Sequence, residues 1–357
     1  MNNLILAINP GSTSTKIAVF ENRKRAFFIN VKHPPEILAN YAKIADQFEF
    51  RKQMIIDELK KAGINLFEID IVVGRGGLLK PITGGIYKVN KAMIRDIHNP
   101  MAEHESNLGG LISYEIAKEI GNNVNAVIVD PTCVDELEDI ARISGMPELP
   151  RKSILHTLNQ RAIARHFANE IGKSYNEISV IVAHMGGGIS VGAHKNGRII
   201  DVNNGLNGEG PMSPERSGGV PAGQLVELCF SGKYTQKEIL KKLKGKGGLI
   251  AYLGTNDAIE VEKRIENGDK YAELIYFAIS YQVAKEIGAL STVLKGNVDG
   301  ILITGGLAYS NILVNDIAER VKHIAQVKFY PGENEMETLA MNGFMALNGE
   351  IEIKEYI

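Results

Sequence analysis

The sequence predicts an α/β protein of two lobes, each opening with a strand, a polar glycine-bearing turn and a returning strand. Three observations carry that prediction. At 357 residues the chain exceeds what one hydrophobic core usually serves, so two domains are expected. Short apolar runs end in glycine-rich turns at Asn9–Ser14, Gly74–Gly77, His184–Gly188 and Thr304–Gly306. The anchors Asn9 and His184 lie about 175 residues apart, near half the chain, which a two-lobed duplication explains. Each lobe would then offer one phosphate-binding hairpin, the two facing one another across a cleft. The Pro147–Pro150 loop is the candidate boundary, giving 1–150 plus about 340–357 for one domain and 151–339 for the other.

In the first lobe, Leu4 to Ile8 reads as a buried strand and Ile17 to Phe20 as its return. The turn between them carries Ser12, Thr13 and Ser14, with Asn9 before it and Lys16 after it. Backbone N–H groups and hydroxyls at a sheet edge make a cradle for phosphate oxygens. The Walker spacing is absent, and a plain polar hairpin turn is the competing reading. Ala26 to Val31 is a candidate third strand, and about Pro35 to Ala62 reads as helical, ending at Gly63. Ile69 to Val73 is a short strand running into Gly74-Arg75-Gly76-Gly77. An arginine among glycines offers a planar fork for phosphate or carboxylate; a solvated turn arginine is the alternative. Asn107 to Ile120 reads as a helix. Ala126 to Val129 reads as a strand ending at Asp130, a carboxylate at the edge where α/β sheets gather ligands, or equally an Asx-turn residue.

The second lobe repeats the grammar. His156 precedes a helix over Leu158–Ile171, and a lone histidine there reads as structural. Val180 to His184 is a strand, Gly186-Gly187-Gly188 its turn, and Ile189 to His194 the return. Gly205 to Gly219 is too rich in glycine and proline for regular structure and carries a second glycine-flanked arginine, Arg216. Helices are expected over Leu225–Phe230, Gln236–Leu243 and Tyr271–Leu294, the last apolar over much of its surface and so a core or dimer helix. Asp299 to Thr304 is a strand whose glycines, Gly305 and Gly306, allow close approach of a base or ribose before a helix over Asn311–His323. Val327 to Tyr330 is a strand, and the acids Glu333, Glu335 and Glu337 lead into a closing helix, Thr338–Leu347.

The bulk numbers exclude several classes. Composition is 44% hydrophobic and 23% charged with a formal net charge of −2, unlike a basic nucleic-acid protein. No apolar run has the length of a membrane span, and the N-terminus enters a strand without a basic leader, so no membrane is expected. Cys133 and Cys229 form no metal-like cluster, which points to a reduced, cytoplasmic setting.

Two phosphate-type hairpins, a third glycine turn, two glycine-flanked arginines and a strand-end aspartate together point to phosphoryl transfer, which needs positioning and charge neutralisation more than covalent catalysis. The ordered motifs INPGSTSTK, VVGRGG, VDPTC, ILHTLNQ, AHMGGG, PERSGG and ITGG resemble the acetate/butyrate kinase family of the actin-like ATPase superfamily, its butyrate kinase branch above all. The likeness runs from Asn9 to Glu337. It implies two ribonuclease-H-like domains with a central nucleotide cleft, and transfer of the ATP γ-phosphate to a short carboxylate with Mg²⁺.

Position by position, the resemblance implies that Asn9, Ser12, Ser14 and Lys16 contact ATP phosphates and the Mg²⁺ hydration sphere. Arg75 would bind the carboxylate or acyl phosphate, and Asp130 would be the essential carboxylate. His156 and Arg216 would stabilise the transferring group. His184 and Gly186, Gly187 and Gly188 would meet nucleotide phosphates; Gly305 and Gly306 would pack on adenosine with Asp257 nearby. Glu335 would help hold Mg²⁺, with Glu337 competing for that role. The carboxylate acceptor is already ionised at neutral pH, so charge compensation outweighs base catalysis and Asp130 is cast as a positioning or metal-linked acid. The family also implies a homodimer, or a higher homo-oligomer, formed through the second lobe, with the Tyr271–Leu294 helix as the expected contact.

Departures from the acetate kinase pattern refine the substrate. A valine is replaced by Gly77 and an aromatic by Leu155, changes expected to empty volume from the acyl pocket and favour butyrate or isobutyrate at about 0.8 kcal/mol per buried methylene. Glu103, beside His104, replaces a leucine and is expected to point elsewhere. Ile259 replaces an arginine, so adenine contacts are expected to differ. The rivals are an acetate or propionate kinase, a nucleotide-driven switch protein without an acyl substrate, and a sugar-kinase-like repressor, the last lacking an added DNA-binding helix pair.

Overall fold

The computed structural model describes residues 3–41, 43–100, 104–121 and 123–357. Glu103, singled out in the sequence, lies outside the described residues. Strands β1 (Leu4–Pro10), β2 (Ser14–Glu21), β3 (Lys24–Lys32), β4 (Ile71–Arg75), β5 (Ile86–Lys88) and β6 (Asn125–Val129) come first. They are followed by β7 (Ser179–Met185), β8 (Ile189–Lys195), β9 (Arg198–Val202), β10 (Gly300–Gly305) and β11 (Val327–Pro331), and the chain closes with β12 (Ile353–Glu355). Two compact units result: residues 1–134 with 334–357, and residues 135–333.

The first unit holds a seven-stranded sheet ordered β12-β5-β6-β4-β1-β2-β3. Strands β1, β2 and β3 form an antiparallel meander, while β4 runs parallel to β1 and β6 parallel to β4. Alternation along the strands sends Leu6, Ile8, Ile17 and Val19 to one face, where they share a core with Ile55, Leu59, Ile112 and Ile116. Those four come from helices Phe48–Lys61 and Asn107–Ile120. The opposite face, with Ile5, Ile71 and Val73, receives helix Glu335–Leu347 at Gly343. That packing brings the end of the chain back beneath β1.

The second unit repeats the topology. Its five-stranded sheet is ordered β11-β10-β7-β8-β9, again an antiparallel meander followed by two parallel strands. Ile181, Ala183, Ile301 and Ile303 pack on helices Lys270–Val293 and Asn311–Val321. Val180, Val182 and Leu302 pack on Phe167 and Ala164 of helix Thr157–Glu170. The duplicated lobe expected from the Asn9 and His184 turns is therefore present at the level of strand order, in the α/β fold the sequence predicts.

Three readings change. The helix expected over 35–62 starts only at Phe48; the turn Pro35–Leu38 buries no residue, so nothing propagates it. The first unit boundary falls at Val134/Asp135 rather than in the proline loop, because Leu137 joins Leu155, Ile199 and Val202 in a small core and Glu138 N donates to Ile200 O. The closing helix starts at Glu335, a turn earlier than its apolar pattern suggests. Among the described residues no helix is long and apolar enough to cross a membrane.

Candidate functional site

In the first unit the candidate residues stand at the carboxyl edge of parallel strands. The pairing of Ile8 with Gly74, and of Arg75 with Val129, puts Asn9, Arg75 and Asp130 at the ends of three neighbouring strands. Helix Glu335–Leu347 adds a buried carboxylate to that edge. Glu335 Oε1 meets Arg75 Nη1 at 2.7 Å, and Oε2 accepts from Asn9 Nδ2 at 2.5 Å and lies 3.4 Å from Lys16 Nζ. Arg75 Nη1 also reaches Asn9 Oδ1 at 3.4 Å. Glu335 sits in the first turn of its helix, where the dipole favours an anion. Glu337 points outward and pairs with Arg25 at 2.8 Å, so the two acids that compete in sequence are separated by helix geometry.

Asp130 follows β6 in a left-handed conformation, φ +38°, rare for a residue with a side chain. Gly85 holds it there: Asp130 N donates to Gly85 O at 2.9 Å, and Asp130 Oδ1 accepts from Gly85 N at 2.8 Å. The carboxyl group is buried at the strand edge. Oxygen donors of this kind suit Mg²⁺. Both oxygens of Glu335 already meet donors, so Glu335 fits a hydrated ion through its water rather than by direct ligation.

The turn Gly11–Ser14 rests on a residue that the sequence reading missed. Arg51, wholly buried, donates to Gly11 O at 2.8 Å, Ser12 O at 3.3 Å and Ser14 O at 3.3 Å, and to Thr15 Oγ1 at 3.1 Å. Gln47 Oε1 accepts from its Nε and Nη2 at 3.0 and 2.8 Å. The signal was present: Arg51, Ile55 and Leu59 are the buried residues of their helix at a spacing of four, so an arginine heads an apolar stripe. Ser12 and Thr13 are exposed on the turn, and Ser14 is half-buried.

In the second unit His184 closes β7, buried, with Nδ1 3.0 Å from Asn159 Oδ1 and Nε2 3.2 Å from Glu333 Oε1. The His156 ring stacks on it at 4.2 Å between centroids; its Nδ1 accepts from Asn159 N at 3.4 Å and its Nε2 lies 4.0 Å from Glu333 Oε2. Ligand atoms of His156, His184 and Glu333 lie within 4.8 Å of one another, close enough to suggest a metal. The ring geometry disfavours one. Near-parallel rings aim their lone pairs side by side rather than at a common point, and an Nδ1 that accepts a bond leaves Nε2 of a neutral His156 as a donor. Through that Nε2–H, His156 suits an anionic oxygen.

Arg216 covers the glycine turn beside these histidines. A Cβ on Gly188 would fall on the Arg216 guanidinium, so only glycine admits the arginine there. Arg216 Nη1 donates to Gly205 O at 2.5 Å, and burial lowers its pKa from the ordinary arginine value against the raising effect of Glu215. Gly186 lies beside His184 and Glu333, and Ser213 Oγ donates to Gly187 O at 2.7 Å. Gly305 ends β10 against the Met185 carbonyl, and Gly306 opens onto free space. Asp257 is an exposed helix cap, its Oδ1 accepting from Ile259 N and Glu260 N.

The two pocket arguments fail on geometry. A Cβ at Gly77 would fall on Asn107 Oδ1 and within 2.6 Å of Asn107 N, while Asn107 Oδ1 accepts from Leu78 N. The volume given up at Gly77 is filled by Asn107 rather than left for an acyl chain. Leu155 is buried in the small core with Leu137, Ile199 and Val202, and so lines packing rather than a cavity.

A family model described as the acetokinase family matches residues 146–346. Among solved structures the chain is similar to acetate kinase of Porphyromonas gingivalis, 19% identical with a TM-score of 0.78 over 97% of this chain and 100% of the other. It is similar to a propionate kinase from Francisella tularensis, 18% identical, TM-score 0.73, over 95% and 98%. It is also similar to acetate kinase from Entamoeba histolytica, 17% identical, TM-score 0.75, over 94% and 98%. At these identities the structures speak for the fold, which is of the actin-like ATPase type.

Proposed function

Because the chain belongs to the acetokinase family, we propose that it is a carboxylate kinase that transfers the γ-phosphoryl group of ATP reversibly to a short aliphatic acid, butyrate or isobutyrate before acetate or propionate. The observation that carries the reading is the cluster Asn9, Lys16, Arg75 and Glu335, in which a buried carboxylate aligns an arginine and a lysine beside an exposed hydroxyl turn. The preference for four carbons rests on the ordered motifs; Gly77 and Leu155 lend it nothing. The names of the similar structures favour acetate or propionate as the alternative acceptor.

In this reading a carboxylate oxygen of the acid forms a bond to the γ-phosphorus as the bond to the β–γ bridging oxygen breaks, and ADP leaves with the electron pair. Arg75 would hold the acid by its carboxylate. His156 and Arg216 would donate to the equatorial oxygens, where charge is spread in the transition state. The Ser12–Lys16 turn and His184 would bind nucleotide phosphates, and Gly305 and Gly306 would pack on adenosine. Mg²⁺, held near Asn9, Asp130 and Glu335, would neutralise phosphate charge. The protein would act as a homodimer in a reducing, cytoplasmic setting. Two helices of the second unit expose apolar side chains for that contact: Ala222–Phe230, with Val226 and Phe230, and Lys270–Val293, with Tyr271, Leu274 and Tyr281.

The test is acyl phosphate formation trapped with hydroxylamine, across acetate, propionate, butyrate, isobutyrate and valerate. A preference for four carbons or more supports the reading. A preference for acetate keeps the kinase and removes the chain-length assignment, and no product with any acid overturns the kinase.

A further inference from the structure

We propose that Arg51 is a positioning residue for anion binding at the Gly11–Ser14 turn: sealed beneath it, the guanidinium turns the carbonyls inward and the N–H groups outward. The proposal rests on the reading of that turn as a phosphate cradle.

The geometry is specific. Gly11 O, Ser12 O and Ser14 O accept from Arg51, and Thr13 O accepts from His33 N at 2.8 Å, so every carbonyl from Gly11 to Ser14 points at a protein donor. In a planar trans peptide the C=O of one residue and the N–H of the next point in opposite directions. Fixing the Gly11 and Ser12 carbonyls on Arg51 therefore aims the N–H groups of Ser12 and Thr13 away from the protein body. Among the described residues neither N–H has a protein acceptor, and both residues are exposed. Successive outward N–H groups form an anion-binding concavity.

The charge matters as well as the shape. The hydrogen-bond partners of Arg51 are neutral: carbonyls, the Thr15 hydroxyl and the Gln47 amide. Among the described residues no carboxylate comes within 4.0 Å of it. Glu105 acts on it through space. The adjacent His33, bonded to Thr15 Oγ1 at 2.9 Å, is held neutral by burial and by Arg51, its pKa lowered to about 4. A buried cation with neutral partners keeps its field, and that field points through a thin turn toward whatever anion lies on the far side. A lysine has one donor centre and cannot reproduce the fork across Gly11 and Ser12.

The experiment measures equilibrium binding of ADP and of adenosine to the full-length protein and to Arg51→Lys and Arg51→Met, with thermal unfolding alongside. The expected result is a loss of ADP affinity of about tenfold or more in both variants, with adenosine affinity within about twofold. Parallel losses for both ligands would make Arg51 a general support of the fold, and unchanged ADP affinity would remove its role at the turn; either outcome overturns the proposal. Should Arg51→Met fail to fold, Arg51→Lys, which keeps the buried charge, carries the test. If the wild-type protein forms no acyl phosphate with any acid while ADP binding still depends on Arg51, the kinase reading fails and the role of Arg51 stands.

Discussion

Arg75 Nη1 lies 2.7 Å from Glu335 Oε1, joining the end of an interior strand to the first turn of the helix that closes the first unit. The pair is three-quarters or more buried on both sides, and Asn9 and Lys16 complete it through Oε2. Removing its anion exposes the chemistry the pair serves. Glu335→Gln is expected to lower turnover by about 10²-fold or more and to destabilise the first unit by about 2–4 kcal/mol, since Arg75 and Lys16 lose their counter-charge. Glu337→Gln, outside the cluster, is expected to leave activity within about twofold. Hydroxamate assays and thermal unfolding of the two variants check this.

Asp130→Asn separates charge from shape. Asparagine tolerates the left-handed backbone and still offers an oxygen to Gly85 N, so the unfolding midpoint should move by no more than a few degrees. Turnover should fall by about 10²-fold or more if the carboxylate charge is used. Near-normal turnover would take Asp130 out of the catalytic set.

Gly77→Val tests the filled volume. Asn107 occupies the space a side chain would need, so the variant is expected to lose about 1–3 kcal/mol of stability or more through overpacking. A stable variant whose only change is a shift of preference toward acetate would restore the acyl-pocket reading.

Acid stability should depend on His194. Its ring is fully buried between Tyr175 and Gln160, bonded at 2.8 and 3.0 Å, and burial with the nearby Arg161 lowers its pKa to about 3. Below the ordinary histidine value of 6.5 the unfolded chain takes a proton that the folded chain refuses. The stability this neutral ring contributes is complete above about pH 6.5 and is lost as pH falls toward 3, with a slope approaching about 1.4 kcal/mol per pH unit. Unfolding midpoints between pH 8 and 4.5 should show the decline, and His194→Gln should lessen it, leaving the part due to His33, whose pKa is lowered to about 4.

Phe230→Asp probes the dimer. Phe230 is 87% exposed at the end of a helix with no buried residue, so a charge there should leave the fold intact. Light scattering is expected to report the mass of one chain for the variant and of two for the wild type; an unchanged dimer would move the interface elsewhere.

Much of this protein is legible in its sequence. Short continuous apolar runs and their glycine turns identified the hairpins at Asn9 and His184, and strand order then repeated between units, because apolar runs and turn chemistry are local properties. The strands Ile86–Lys88, Arg198–Val202 and Ile353–Glu355 were missed; the first and last have three residues, which carry too little pattern to register.

Sequence by itself determined the strands that lead to the site and that their carboxyl ends carry Asn9, Arg75, Asp130 and His184. Tertiary structure alone decided which charges meet. Glu335 rather than Glu337 faces Arg75 because helix rotation, set by the apolar face on the sheet, turns one acid inward and the other toward Arg25. Arg51 heads an apolar stripe in the sequence, but what it bonds is fixed only when the helix is laid beneath the Gly11–Ser14 turn, and the space beside Gly77 looks empty until Asn107 is packed into it. Local pattern encodes burial and direction; contacts between distant segments depend on how whole elements dock, and no window of the chain contains that information.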